Sequence, residues 1–269
     1  MKIDGARVLL TGASRGIGAA TALELARRGA TLAIAARTKK SLDQVARDCR
    51  GLGAEVHVIV ADMAKEADVR AMVATARKAM GGIDVLVNNA GLGLSNPVAE
   101  VSVEDLRYVF EVNVFAPHIA TIEALPEMTK RGSGRIINVG SVASHIATPN
   151  LGGYSGTKFA LKAMTDSLRM EMRGTGVKVT LICPGPIATE FVVNSAGETE
   201  GVFPQKPVGA PAIDVAKAIC KGITSGPAEL FIPAYYQPMV GANSMMPQLL
   251  RYLGKPGMAA ATKFAEKYL

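Results

Sequence analysis

Short apolar runs, many of them β-branched, alternate along the chain with longer stretches whose apolar residues recur at helical spacing. The runs at 7–10, 31–36, 55–61, 85–87, 135–139, 178–183 and 229–232 read as strands. Between them, 18–28, 41–50, 66–80, 103–130, 154–173 and 214–223 carry helical periodicity. Ser41 is placed as the N-cap of its helix, and Pro117 is placed to bend the long one. The strands are apolar throughout rather than alternating, which marks a parallel sheet covered by helices on both faces. The element order predicts an α/β fold with a doubly wound parallel sheet of about seven strands and right-handed crossovers. No internal repeat, low-complexity run or linker divides the 269 residues, so a single domain is expected over 1–269.

Two stretches have no place in that sheet, 187–210 and the residues beyond 234. Both follow the carboxyl ends of late strands, where open α/β sheets bind ligands, and long irregular segments in compact domains usually carry function. The segments 187–210 and 235–258 are therefore read as substrate lids. Phe191, Val192, Val193 and Phe203 in the first, with Met239, Met245 and Met246 in the second, predict an apolar and adaptable pocket. The plainer alternative is ordinary packing of each segment on its own domain.

After the first strand comes Thr11-Gly12-Ala13-Ser14-Arg15-Gly16-Ile17-Gly18, which opens directly into a helix. Glycines let backbone approach a pyrophosphate, and the helix start offers free N–H donors and a positive dipole end. The strand-before, helix-after context is that of a Rossmann-type dinucleotide fingerprint. In sites for unphosphorylated dinucleotides a carboxylate about 20 residues further on holds the ribose hydroxyls. Here the second strand ends Ala35-Ala36-Arg37-Thr38, with no acid. Arg37 and Arg15 instead suit a ribose 2′-phosphate, which favours NADP(H) over NAD(H). The alternative is two solvated surface arginines. Asp62, at the end of the third strand, is placed either to receive the adenine amino group or to cap the next helix.

Composition adds exclusions. Hydrophobic residues make up 49% and charged residues 20%, the balance of a packed globular chain. Lys and Arg number 30 against 23 Asp and Glu, for a net charge of +7 and a pI near 9.4. No basic run exceeds Lys39-Lys40 or Lys130-Arg131, Trp is absent and no aromatics interleave, so nucleic acid is not an expected partner. The charge reads instead as a field that attracts small polyanions. Cys49, Cys183 and Cys220 cannot all pair and form no CxxC, which excludes a disulfide scaffold and a zinc ribbon. Cys183 and Cys220 read as buried thiols in a reducing, cytoplasmic compartment, and the opening Met1-Lys2-Ile3-Asp4 shows no apolar core of a secretory signal. The uncharged stretch 230–250 holds Pro233, Pro238 and Pro247, a poor spanning helix, which leaves weak membrane-surface association as the lesser reading. His57, His118 and His145 show no metal-ligand spacing, so no metal is expected. His145 reads either as a substrate-pocket residue or as a loop histidine without a ligand role.

Of the six tyrosines, only Tyr154 has a lysine four residues later, Lys158, which puts both side chains on one helix face. A neighbouring ammonium stabilises a phenolate and brings its titration down toward neutrality, as acid–base work requires. The alternative is a half-buried Tyr beside a surface Lys. Ser141, at the end of the preceding strand, has a hydroxyl that could reach the same point in space.

The glycine turn at 11–18, Asn88-Asn89-Ala90-Gly91, Asn113, Ser141, Tyr154-Ser155-Gly156-Thr157-Lys158 and Pro184-Gly185 stand in the order of the classical short-chain dehydrogenase/reductases, which the chain resembles from about residue 5 to 234. The resemblance implies that Tyr154 is the general acid/base, that Lys158 binds the nicotinamide ribose, that Ser141 hydrogen-bonds the substrate oxygen and that Asn113 holds a water leading from Lys158. It implies cofactor contacts from Gly12, Ser14, Arg15, Gly16, Ile17, Gly18, Arg37, Asp62, Met63, Asn89, Ala90, Gly91, Tyr154, Lys158, Pro184, Gly185, Ile187 and Thr189. Ser141, Tyr154, His145 and Phe191 are the expected substrate contacts. Phe159-Ala160-Leu161 and Ser167-Leu168-Arg169 look like members that act on hydrophobic ketones and secondary alcohols, hydroxysteroid-type enzymes included. The rival within the family is 3-oxoacyl-carrier-protein reductase, with Arg131 and Arg173 facing an acidic carrier. Those reductases usually stop soon after the last strand, whereas this chain continues. A non-catalytic NADP(H)-binding sensor or structural protein is the rival of another class. A homodimer or homotetramer is the expected assembly.

Overall fold

Leu9 and Leu10 are both fully buried although neighbouring strand residues face opposite ways, so β1 (Arg7–Thr11) has to be covered on both sides. The computed structural model describes residues 1–189 and 209–245. From β1 the chain runs through α1 (Gly16–Arg27), β2 (Thr31–Ala36), α2 (Lys39–Gly51), β3 (Val56–Val60), α3 (Glu66–Met80) and β4 (Val85–Asn88). It continues through α4 (Val103–Phe110), α5 (Ala116–Arg131), β5 (Gly134–Val139), α6 (Gly152–Glu171), β6 (Val177–Pro184), α7 (Ala212–Ser225), β7 (Glu229–Ile232) and α8 (Tyr236–Met245).

The seven strands among the described residues form one parallel sheet in the order β3-β2-β1-β4-β5-β6-β7. Leu9 is paired with Ala33 of β2 on one side and Leu86 of β4 on the other. The chain therefore winds outward from β1, returns, and winds outward the other way, leaving a crevice at the carboxyl ends of β1 and β4. One face carries Leu10, Ile34, Val87 and Ile137 beneath α1, α2 and α7. The other carries Leu9, Leu86, Ile136 and Val179 beneath α3 and α5, with Leu168 of α6 packed against it. At the strands' amino ends Asp84 takes Arg7 Nε at 2.8 Å and Arg7 Nη2 at 2.7 Å, locking β1 to the entry of β4.

Three local expectations change. The N-cap of α2 is Thr38, not Ser41, because the chain turns immediately after β2 and the Lys39–Asp43 pair at 2.7 Å supports the earlier turn. The helix at 103–130 is interrupted by a π turn, Glu111–Phe115, one turn before the expected bend. Pro117 has no N–H to offer the Asn113 carbonyl four residues back, so the distortion lies on the amino side of the proline. Residues 236–245 are helical rather than irregular, with Pro238 in the first turn, where a missing N–H costs nothing. None of the helices among the described residues is long and apolar enough to cross a membrane.

Candidate active site

The turn between β1 and α1 is built around close backbone approach. Gly12 and Gly16 have φ of +67° and +55°, where a side chain would be strained. A Cβ on Gly12 would stand 2.7 Å from Ala90 Cα, and one on Gly18 would run into the Gly12 carbonyl oxygen. Thr11 Oγ1 accepts from the N–H groups of Asn89 and Ala90, both at 3.0 Å. Asn89 Nδ2 donates to Thr11 O at 2.9 Å and Gly12 O at 3.2 Å. Asn89 and Ala90 thus brace the glycine turn against the end of β4.

Arg15 is the N-cap of α1 without a capping side-chain bond, and the first turn has no acidic residue. The helix start therefore presents its N–H groups and positive end to the crevice, as a pyrophosphate requires. The glycine cradle and this start together fit the dinucleotide that the sequence implies. Thr189 lies against the turn, its Cγ2 3.3 Å from where a Gly16 Cβ would be, and its N–H donates to Ile187 O at 2.8 Å. Ser14 and Ile17 sit in the same turn and first helical residues.

At the adenosine end, exposed Arg37 follows β2 and its Nη1 donates to the Tyr108 phenol oxygen at 2.7 Å. The Asp62 carboxylate accepts from Ala64 N–H at 3.1 Å, so it closes its own turn instead of capping α3, whose N-cap is Lys65. Met63 is buried beside it.

Asn113 lies in the π turn, fully buried, and Lys158 is buried on α6. A Cβ on Gly91 would be 3.3 Å from Asn113 Oδ1 and 3.6 Å from Lys158 Nζ, so the backbone at Gly91 lies close against both groups. Lys158 Nζ donates to Val139 O at 3.0 Å, and burial pulls its pKa down to about 8. The ammonium stands 5.7 Å from the Tyr154 ring centroid. Ser141 Oγ accepts from Ala143 N–H at 3.1 Å, donates to Pro184 O at 3.3 Å and is hydrogen-bonded to the Tyr154 hydroxyl. Tyr154, Lys158, Ser141 and Asn113 are thus brought together. Burial pushes the Tyr154 pKa up to about 12, and the Ser141 bond opposes that rise.

His145 does lie just beyond Ser141, but its ring is largely covered. Its ring centroid lies 5.3 Å from that of Phe231 at a tilt of 44°, and Nε2 is 3.7 Å from Cys183 Sγ and 3.6 Å from Glu229 Oε1. Burial first, then the Lys162 charge, brings its pKa down to about 4, so the imidazole is neutral. These three donor atoms lie within 4.8 Å of one another, a grouping that no sequence spacing reveals. Glu229 already faces Lys162 Nζ at 3.8 Å, and burial pushes the Cys183 thiol far up, so an ammonium and two neutral groups account for the cluster. Phe191 lies outside the described residues. Arg131 Nη2 donates to Ile83 O at 2.8 Å and lies 3.2 Å from Asp84 Oδ1.

Sequence reasoning missed Thr157, whose Oγ1 takes Asn113 Nδ2 at 3.0 Å, although it stands inside the Tyr154–Lys158 motif. It also missed Tyr236, whose ring covers Gly185 so closely that a Cβ there would collide with it. Asn243 Nδ2 donates to His145 O at 3.3 Å, so α8 touches both the Pro184-Gly185 wall and the loop after Ser141.

A doubly wound sheet with a glycine cradle at its switch point, and a Ser–Tyr–Lys group at the same carboxyl edge, defines a nucleotide-dependent oxidoreductase of the Rossmann type. Comparison with known proteins gives the family: the family model described as short chain dehydrogenase matches residues 6–200. The chain belongs to the short-chain dehydrogenase/reductase family and is an oxidoreductase acting on CH–OH groups. Estradiol 17-beta-dehydrogenase 11 of Homo sapiens is 32% identical over 266 residues, which cover 97% of this chain and 85% of that protein. Ketoacyl reductase HetN of Nostoc sp. is 34% identical over 234 residues, 86% of this chain and 79% of that one. The crystal structure of a short-chain dehydrogenase/reductase from Burkholderia phymatum in complex with NAD superposes with a TM-score of 0.84 at 25% identity, covering 93% of this chain and 96% of that one.

Proposed function

We propose that this protein interconverts a ketone or aldehyde and its alcohol on a hydrophobic, steroid- or lipid-like substrate, with NADP(H) preferred over NAD(H). The observation that carries the reading is the hydrogen bond between the Ser141 and Tyr154 hydroxyls with the buried Lys158 ammonium 5.7 Å from the phenol ring. When bound, the nicotinamide supplies or accepts the hydride. Tyr154 offers an O–H donor to a substrate oxygen, where negative charge develops during reduction, and Ser141 offers a second once its proton turns from the Pro184 carbonyl to that oxygen. Tyr154 gives that oxygen its proton, and takes one back in the reverse direction. Lys158 keeps positive charge beside the phenol, and Asn113 holds the two segments around it in register. The preference for NADP(H) rests on Arg37 and Arg15 at the carboxyl ends of neighbouring strands and on the missing acid after β2.

The substrate reading draws on the exposed apolar residues Tyr235, Met239 and Met245 of the segment that touches the site, and on the steroid named for the human relative. Segments 187–210 and 235–258 are the proposed lids of this single domain. Exposed Phe115 and Ile122 by α5, with Phe159 and Met170 on α6, support a homodimer or homotetramer. The free, buried Cys49, Cys183 and Cys220 support a reducing, cytoplasmic setting. A ketoacyl substrate is the second reading, favoured by the likeness to the Nostoc reductase.

The test is turnover of aliphatic, aromatic, steroid and 3-oxoacyl substrates with NADPH and with NADH, for the wild type and Tyr154→Phe. A bulky apolar ketone reduced faster with NADPH, and lost in the variant, is the expected result. Full turnover in Tyr154→Phe overturns the assigned chemistry. Cofactor binding without turnover of any substrate shifts the reading to a sensor.

A further inference from the structure

Arg37 is exposed, yet its guanidinium is held: Nη1 donates to the Tyr108 phenol oxygen at 2.7 Å across 71 positions of sequence. Tyr108 is half-buried on α4, and its ring packs against the core cluster that includes Met63 and Val112. A ring fixed in this way keeps its oxygen at one place, so the bond restricts a side chain that would otherwise sample many rotamers.

The chemistry of the partner matters as much as its position. Arg7, Arg28, Arg70 and Arg169 each bind a carboxylate, which cancels their charge. Tyr108 is a neutral acceptor, so Arg37 is oriented while its full charge is kept. A guanidinium has five N–H donors in a planar fork, and one bond to a phenol leaves the others for an anion. An oriented, uncancelled cation beyond β2, next to the Asp62–Met63 end of β3, suits a dianionic phosphate monoester on the adenosine ribose.

We propose that Tyr108 is a positioning residue that aims Arg37 at a ribose 2′-phosphate and so contributes to the choice between phosphorylated and unphosphorylated dinucleotides. The inference rests on the NADP(H) reading above. It is tested by calorimetric binding of adenosine 2′,5′-bisphosphate and of 5′-AMP to the full chain, as wild type, Tyr108→Phe and Arg37→Gln. These fragments lack nicotinamide, so the readout is independent of turnover. Tyr108→Phe keeps the packed ring and removes only the acceptor. It is expected to weaken the bisphosphate by roughly three- to tenfold and to leave 5′-AMP unchanged. Arg37→Gln is expected to weaken the bisphosphate more.

If Arg37→Gln discriminates and Tyr108→Phe does not, the role of Tyr108 is overturned while the NADP(H) reading stands. Equal weakening of both ligands in Tyr108→Phe reduces the residue to packing and also overturns it. If the wild type binds both fragments alike, or Arg37→Gln changes neither, the NADP(H) reading itself fails and takes the inference with it.

Discussion

Asn113 and Leu92 hold each other through two hydrogen bonds: Asn113 Oδ1 accepts the Leu92 N–H at 2.8 Å, and Asn113 Nδ2 donates to the Leu92 carbonyl at 2.8 Å. The second Nδ2 proton goes to Thr157 Oγ1 at 3.0 Å. A single buried amide therefore joins the loop after β4, the π turn and α6, the segments that carry Gly91, Asn113 and Lys158. Its side-chain hydrogen-bonding is spent on structure.

Replacing Asn113 with Leu keeps the branched shape, though not the volume, and strips three hydrogen bonds at once. Each buried group left unpaired costs about 1–3 kcal/mol, so the loss of stability should exceed that of an ordinary core substitution. Turnover should fall at least tenfold, because Gly91 and Lys158 lose their common anchor. Thermal unfolding and steady-state rates on the same preparation check both. A variant of wild-type stability would show that the amide is not the joint described.

Lys158 gives a pH signature. Burial brings its pKa from 10.5 to about 8, so between those values the unfolded chain holds a proton that the folded chain has released. Stability contributed by this group therefore rises with pH across that window, and the cost of burying the ammonium is fully present below it. Tyr154 acts oppositely, but only above its ordinary value of 10, since its folded pKa is about 12. Lys158→Met should lose activity and gain stability relative to wild type at neutral pH, with the gap closing as pH rises past 8. Unfolding midpoints measured in pairs across this range decide it; a constant gap would contradict the assigned shift.

The sheet was legible because its strands are apolar on both faces, so periodicity and turn residues alone delimit β1 to β7. The Tyr154–Lys158 pair was legible because four residues make one helix face. The π turn was not: Pro117 announces a disturbance without saying that it falls on the amino side, at the residues that carry Asn113. Contacts between distant elements left no trace in any spacing, as with Arg37 and Tyr108 or with His145, Cys183 and Glu229. The burial that pushes the Tyr154 pKa up is set by tertiary packing and left no trace in the spacing.

Asp84 anchors the opposite edge of the sheet. Burial alone would raise its pKa, but the Arg7 hydrogen bonds and the Arg7 and Arg131 charges outweigh that and hold it below 3.8. Its folded pKa is depressed, so the stability it contributes is present above the unfolded value and is lost as pH falls through the folded one. Asp84→Asn should cost about 2 kcal/mol at neutral pH, with the difference from wild type narrowing on acidification. Urea midpoints at neutral and acid pH test this. A difference that stays constant into acid would mean that the carboxylate charge is not what holds Arg7.

Gly18 and Gly156 separate a glycine that the site demands from one that it tolerates. A Cβ on Gly18 would meet the Gly12 carbonyl oxygen and stand 2.8 Å from Asn89 Nδ2, so Ala there has to displace the turn that cradles the pyrophosphate. Gly18→Ala should weaken dinucleotide binding by more than about tenfold and lower stability by roughly 2–4 kcal/mol. Gly156 lies exposed within α6, between Tyr154 and Lys158, with nothing within 4 Å of an added Cβ. Gly156→Ala removes backbone freedom from the unfolded chain and should stabilise by about 0.5–1 kcal/mol, raising the melting temperature by roughly 2 °C with turnover unchanged. Melting curves with cofactor titrations distinguish the two. Loss of activity in Gly156→Ala, with the fold intact, would show that this face of α6 meets something beyond the described chain.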